Sequence, residues 1–138
     1  MDAAQKLIEQ GRAARRDGNL TLAIKLYQAA ANVLRPLDQP LRLAHIIRHV
    51  ADIQWSALLF EESRANYAEA VAIYRANPDA GKLDLANTLR GYALLSESIA
   101  DIAAASELWT EARDVYEAVG VQAGVEEADR RLAKFHNS

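Results

Sequence analysis

The sequence predicts an all-α fold, a short α-solenoid of three helical hairpins plus a C-terminal capping helix, seven helices in all. Three observations predict it. Helix formers fill the chain, and apolar residues recur at three- and four-residue intervals, as in Leu43, Ile46, Ile47, Val50 and Ile53, which is helical spacing and not strand alternation. Turn signals are few and regularly placed: Gly18-Asn19, Pro36 to Pro40, Asn77-Pro78-Asp79 with Gly81, and Gly120. The chain also repeats itself. Tyr27-x-x-Ala30, Tyr67-x-x-Ala70 and Trp109-x-x-Ala112 are each preceded four residues earlier by Ala23, Ser63 or Ala105, and a further twelve earlier by Gly11, Ala51 or Ala93. Fixed-period self-similarity of this kind marks a stacked-repeat architecture.

These signals place helices at 2–17, 20–35, 40–57, 61–76, 82–99, 102–118 and 122–136. Gly18-Asn19 separates the first two, and the Pro36–Pro40 stretch ends the second, with Pro40 suited to the first turn of the third. The acidic pair Glu61-Glu62 falls in the first turn of the fourth, where it complements the helix dipole. Asn77-Pro78-Asp79 ends the fourth, Asp101 is the expected N-cap of the sixth, and Gly120 precedes the seventh. The period is 40 residues from Tyr27 to Tyr67 and 42 from Tyr67 to Trp109. The same offset of 42 relates Leu43 to Leu85, Ala44 to Ala86, Arg48 to Arg90 and Ala51 to Ala93, and carries Ala86 on to Ala128 in the last helix. Repeats therefore span about 2–36, 40–77 and 82–119, with a capping helix at about 122–136, in a single domain over 1–138.

The small residues have a mechanical purpose. Helices that cross at about 8–10 Å cannot hold a large side chain at the crossing. Gly11, Ala51 and Ala93 on the first helices, with Ala30, Ala70 and Ala112 on the second, let each hairpin close, and the aromatic residue fills the space beside it. Leu7, Ile47 and Leu89 supply matching apolar residues, and Leu20, Phe60 and Ile102 recur at the turn into each second helix. Phe135 takes the place of Ala51 and Ala93 in the last helix, where a ring would cover the end of the core.

With this register the chain resembles the tetratricopeptide-repeat family, whose pattern is a bulky residue, a small residue four further on, then a small–x3–aromatic–x2–small cluster. The long repeats of 40–42 residues resemble the kinesin light chain type. Ser63 departs from the usual alanine, and Leu58 and Ala100 stand where Gly18 stands in the first hairpin. The resemblance implies a right-handed solenoid, a non-enzymatic protein-binding scaffold, and a concave groove lined by the first helices. It places Arg12, Arg15, His45, Arg48, Asp52, Trp55, Asn87, Arg90 and Leu94 in that groove, with Ile8 and Leu132 among its apolar positions.

Arg48 and Arg90 occupy equivalent positions on successive first helices, and Arg side chains grip carboxylates bidentately, so an acidic peptide or protein segment is the expected ligand. Arg48 has Asp52 one turn later as a partner, whereas Arg90 has no acid on its own helix. The competing reading of Arg90 is a pairing across helices with Asp52 or Asp129, or plain solvation. Trp55, matched by Arg15 and Glu97 in the other repeats, is expected outside the deep core and is either a binding anchor or local packing. Trp109, matched by Tyr27 and Tyr67, is expected inside. The family's clamp for chaperone C-termini uses Lys and Asn, and Ile8, Arg12, His49, His45 or Asn87, and Gly91 do not reproduce it.

Composition narrows the rest. Net charge is −3, so the whole molecule does not attract nucleic acid or anionic membrane, and the short cluster Arg12, Arg15, Arg16 is diluted by Glu9 and Asp17. No cysteine excludes disulfides and thiol chemistry, and no apolar run reaches membrane-spanning length, which suits a soluble cytoplasmic protein. Phosphate loops and nucleophile elbows are missing, so neither an enzymatic role nor a cofactor is expected. Two alternatives stay open: a self-associating module, monomeric or weakly dimeric, and a metal-binding helical protein using His45, His49 and Asp52 at i, i+4 and i+7.

Overall fold

A computed structural model describes residues 1–136; residues 137 and 138, the end of the expected domain, lie outside the described residues. Among the described residues there are seven helices and no strand: α1 (Ala3–Arg16), α2 (Leu20–Leu34), α3 (Pro40–Ser56), α4 (Phe60–Arg75), α5 (Lys82–Ser98), α6 (Ile102–Val119) and α7 (Gln122–His136). The all-α helical-repeat prediction holds, and each boundary lies within one residue of its sequence expectation.

Local chemistry sets these ends. Asp2 accepts the Gln5 amide at 2.7 Å to cap α1, and Arg42 of α3 donates to both its carboxylate oxygens at 2.8 and 2.9 Å. That guanidinium, with the capped amide, holds the Asp2 carboxyl at about 2. Asn19 caps α2 through the Leu22 amide at 3.1 Å, Asp101 caps α6 through Ala104 at 3.2 Å, and Pro40 stands in the first turn of α3.

The turns inside the three hairpins share one backbone motif. Asn19, Leu59 and Asp101 donate their amides five residues back to Ala14, Gln54 and Ser96, while Gly18, Leu58 and Ala100 donate three residues back. The motif needs a left-handed residue, and Gly18, Leu58 and Ala100 have φ of 81°, 63° and 61°. Glycine adopts this conformation freely, whereas a side chain costs about 1–2 kcal/mol. Two of the three hairpins thus close against local strain.

The chain divides into two compact units, Met1–Ile73 and Tyr74–Ser138. In the first, Ile8, Ile24, Tyr27, Leu34, Ile46, Ile47, Val50 and Ile53 form the core with Ala4, Ala30 and Ala70. The expected small-residue contact is present. A Cβ added to Gly11 would stand 3.0 Å from two ring carbons of Tyr27, so α1 and α2 approach as closely as that ring allows. Ala51 is fully buried, and the Ser63 hydroxyl donates to its carbonyl at 2.8 Å, which satisfies the polar group at an otherwise alanine position. The Arg35 guanidinium grips Glu69 bidentately at 2.8 and 3.1 Å, tying α2 to α4.

The second unit repeats the scheme. Leu89, Ala93, Trp109, Ala112 and Ala128 are fully buried, and Arg75 pairs with Glu111 as Arg35 does with Glu69 one repeat earlier. Trp109 lies in the core as expected, its indole N–H donating to Glu97 at 2.6 Å. Gly124 of α7 faces the Tyr116 ring, which is 3% exposed; an added Cβ there would lie only 2.4 Å from a ring carbon. No helix among the described residues is long and apolar enough to cross a membrane.

Candidate functional site

In the first unit, α1 and α3 bring most of the expected groove residues together. Arg12 and Arg15 lie exposed on α1, one turn apart, beyond the buried stripe Ala4, Ile8, Gly11 and Ala14. His45, Arg48, His49, Asp52 and Trp55 are half-buried on α3. Helical periodicity explains the grouping: Ala44, Ile47 and Ala51 take the buried stripe of α3, leaving the intervening polar positions on a neighbouring face.

The electrostatics converge on His49. Its ring stacks on Tyr27 of α2, centroids 5.9 Å apart, and meets His45 edge-on at 4.5 Å. The two Nε2 atoms are 3.1 Å apart, so one ring donates and the other accepts. Burial chiefly, then the positive charge that His45 would carry and the charges of Arg48, Arg15 and Arg12, push His49 down to about 4. It is a neutral imidazole at neutral pH, and its Nδ1 is buried without a hydrogen-bond partner. The Nε of Arg48 is buried likewise, meeting Asp52 only as an ion pair at 3.7 Å.

Asp52 has a second engagement. It accepts a short hydrogen bond from the Tyr67 hydroxyl of α4, whose pKa is raised by burial first and by the Asp52 charge next. This overturns the metal alternative. Asp52 is committed to Tyr67 and Arg48, and no three His, Cys, Asp or Glu side chains among the described residues gather closely enough to hold an ion. Ile8 is also corrected: at 4% exposure it belongs to the core and lines no groove.

In the second unit, Asn87, Arg90 and Tyr116 border a cavity of about 370 Å³ together with Gly124, Glu127 and Arg130. Asn87 accepts the Tyr116 hydroxyl at 2.7 Å, which fixes its side-chain amide, and Leu94 is half-buried. Arg90 does pair across helices, with Glu127 of α7. Its guanidinium donates to both carboxylate oxygens of Glu127, at 2.5 and 3.0 Å, and this partner is the main reason the Glu127 pKa is lowered. Asp129 instead accepts from Arg113 at 2.6 Å. Sequence reasoning did not single out Glu127, which lies beyond the first turn of α7 and meets Arg90 only through packing. The His45–His49 contact was legible only as i, i+4 spacing; the burial that makes His49 neutral comes from Tyr27 on another helix.

The hairpin register and packing are those of a tetratricopeptide-like helical-repeat fold. In fold, the chain is similar to the crystal structure of BtubC (BKLC) from P. vanneervenii, with a TM-score of 0.67 and 18% sequence identity over 98% of this chain. It spans 65% of that chain's length, slightly under two thirds. No protein-family model and no curated protein matches the chain.

Proposed function

We propose that the protein is a non-enzymatic interaction scaffold that binds an acidic segment of a protein partner on the α1–α3 face of its first unit. The observation that carries this reading is the approach of Arg12, Arg15 and Arg48 to the half-buried His49 ring, with Asp52 paired to Arg48. A net positive face on a chain of net charge −3 is a local feature, and guanidinium groups suit carboxylates. Trp55, half-buried one turn beyond Asp52, adds an aromatic anchor of the kind that dominates interface energies. Helical-repeat folds present extended surfaces suited to such segments. Asn87, Arg90 and Leu94 form a secondary patch in the second unit. Arg90 reaches a partner there only by giving up its bidentate grip on Glu127, so the main affinity is assigned to the first unit.

The test is fluorescence anisotropy of a labelled glutamate-rich peptide against the wild type and the Arg12→Ser/Arg15→Ser variant. Both residues are exposed, so helical content should persist while affinity falls at least about tenfold and salt dependence weakens. Equal affinity in the two proteins would refute the assignment.

A further inference from the structure

We propose that this face is a proton-coupled carboxylate site, in which the His45–His49 pair takes up a proton as the partner's carboxylate settles among Arg12, Arg15 and Arg48. The inference rests on the binding reading above and adds its regulation.

The geometry supplies the parts. With Nε2 atoms 3.1 Å apart, the neutral pair shares one N–H between two ring nitrogens. A second proton converts it to an imidazolium donating to an imidazole, a charge-assisted hydrogen bond that needs no movement of either ring. The charges that reach His49 come from Arg12 and Arg15 of α1 and Arg48 of α3, its ring stacks on Tyr27 of α2, and beside Arg48 stands Asp52 of α3, bonded to Tyr67 of α4. Three are cations and one is an anion, and the Asp52 carboxylate is already held by Tyr67 and Arg48.

Burial and like charge both oppose the proton now. An arriving carboxylate offsets the like charge while leaving the burial in place, so binding strengthens the hold of the pair on its added proton. The sign follows directly. Across the pH window in which the pair titrates, the complex holds more protons than the separated partners. Affinity therefore increases as pH falls through that window, by at most about tenfold per pH unit for one proton. The device would favour capture of the partner in mildly acidic surroundings and release near neutrality.

The experiment is isothermal titration calorimetry of the full chain with an N-acetylated, C-amidated decaglutamate peptide at pH 5.0, 6.0 and 7.0. Each titration is run in two buffers of different ionisation enthalpy, so that proton uptake is read directly. The wild type should bind more tightly at pH 5.0 than at pH 7.0 with net proton uptake, and the His45→Gln/His49→Gln double variant should lose that gain and that uptake. Binding that is equally tight at all three pH values, with no uptake, would overturn the coupling and leave the binding reading intact. Binding at no pH would overturn both. A pH dependence unchanged in the double variant would also overturn the coupling, since the proton would then reside elsewhere.

Discussion

Replacing Gly124 by alanine should destabilise the protein, although alanine is the better helix former. In the first turn of α7 the exchange gains at most about 1 kcal/mol of helix propensity. Against it stands the Tyr116 ring, with carbons 2.4, 2.5 and 2.6 Å from the new methyl position, where ordinary contact begins near 3.4 Å. The ring must shift by about an ångström, and it is poorly placed to do so. It is 3% exposed, and its hydroxyl is tied to Asn87 at 2.7 Å. Overpacking of this kind costs about 1–3 kcal/mol, and losing the hydrogen bond adds about 1 kcal/mol. The balance is a net loss of about 1–3 kcal/mol, or roughly 3–9 °C in melting temperature for a domain of this size. Gly11→Ala is the internal control. Its methyl meets Tyr27 at 3.0 Å, a contact that a small ring adjustment relieves, so it should cost less than Gly124→Ala. Urea denaturation of the three proteins at constant pH measures both values. A Gly124→Ala variant more stable than wild type would refute the close approach of α7 to Tyr116.

Two further outcomes follow from other features. Leu58→Gly should stabilise the second hairpin: relief of the left-handed strain gains about 1–2 kcal/mol, the freer unfolded chain returns about 0.4–1 kcal/mol, and Leu58 is 72% exposed and so loses little burial. A melting temperature below that of wild type would contradict the strain. Acid should weaken the fold through His49. Its pKa is near 4 folded against 6.5 unfolded, so the unfolded chain binds the extra proton between those values, and stability falls as pH drops from 6.5 towards 4. A separation of that size amounts to about 3–4 kcal/mol. Urea midpoints at pH 7, 5.5 and 4.5 should show that decline in the wild type and a shallower one in His49→Gln; parallel declines would assign the effect to other groups.

The fold was legible because each level of the sequence agreed with the next. Gly11, Ala51 and Ala93 share a register with Tyr27, Tyr67 and Trp109, and the resulting close contacts are the ones the hairpins make. Helix ends were equally plain, since Pro40, Asp101 and Gly120 act through their own backbone or nearest amides. The site was half legible. Periodicity separated the polar face of α3 from its buried stripe, but the family resemblance placed Ile8 in the groove, because matching repeats by register carries no measure of depth. Partner choice was not legible at all. Arg90 meets Glu127, while Asp129, two residues on and about 200° further around the axis of α7, accepts from Arg113, and repeat alignment alone does not weigh that difference. The fit of Gly124 against Tyr116 went unseen for a related reason: Gly124 lies outside the repeating small-residue register, and only packing gives it a role.

The claim that most needs a direct measurement is that the arginine-bearing face of α1 and α3 receives an acidic segment. Two-dimensional NMR of the isotope-labelled chain, titrated with the glutamate-rich peptide, reads every amide and both indoles at once. The account predicts the largest shifts at Arg12, Arg15, Arg48 and His49, with the Trp55 indole moving and the buried Trp109 indole still. Shifts confined to α2 and α4, or a moving Trp109 beside an unmoved Trp55, would contradict it.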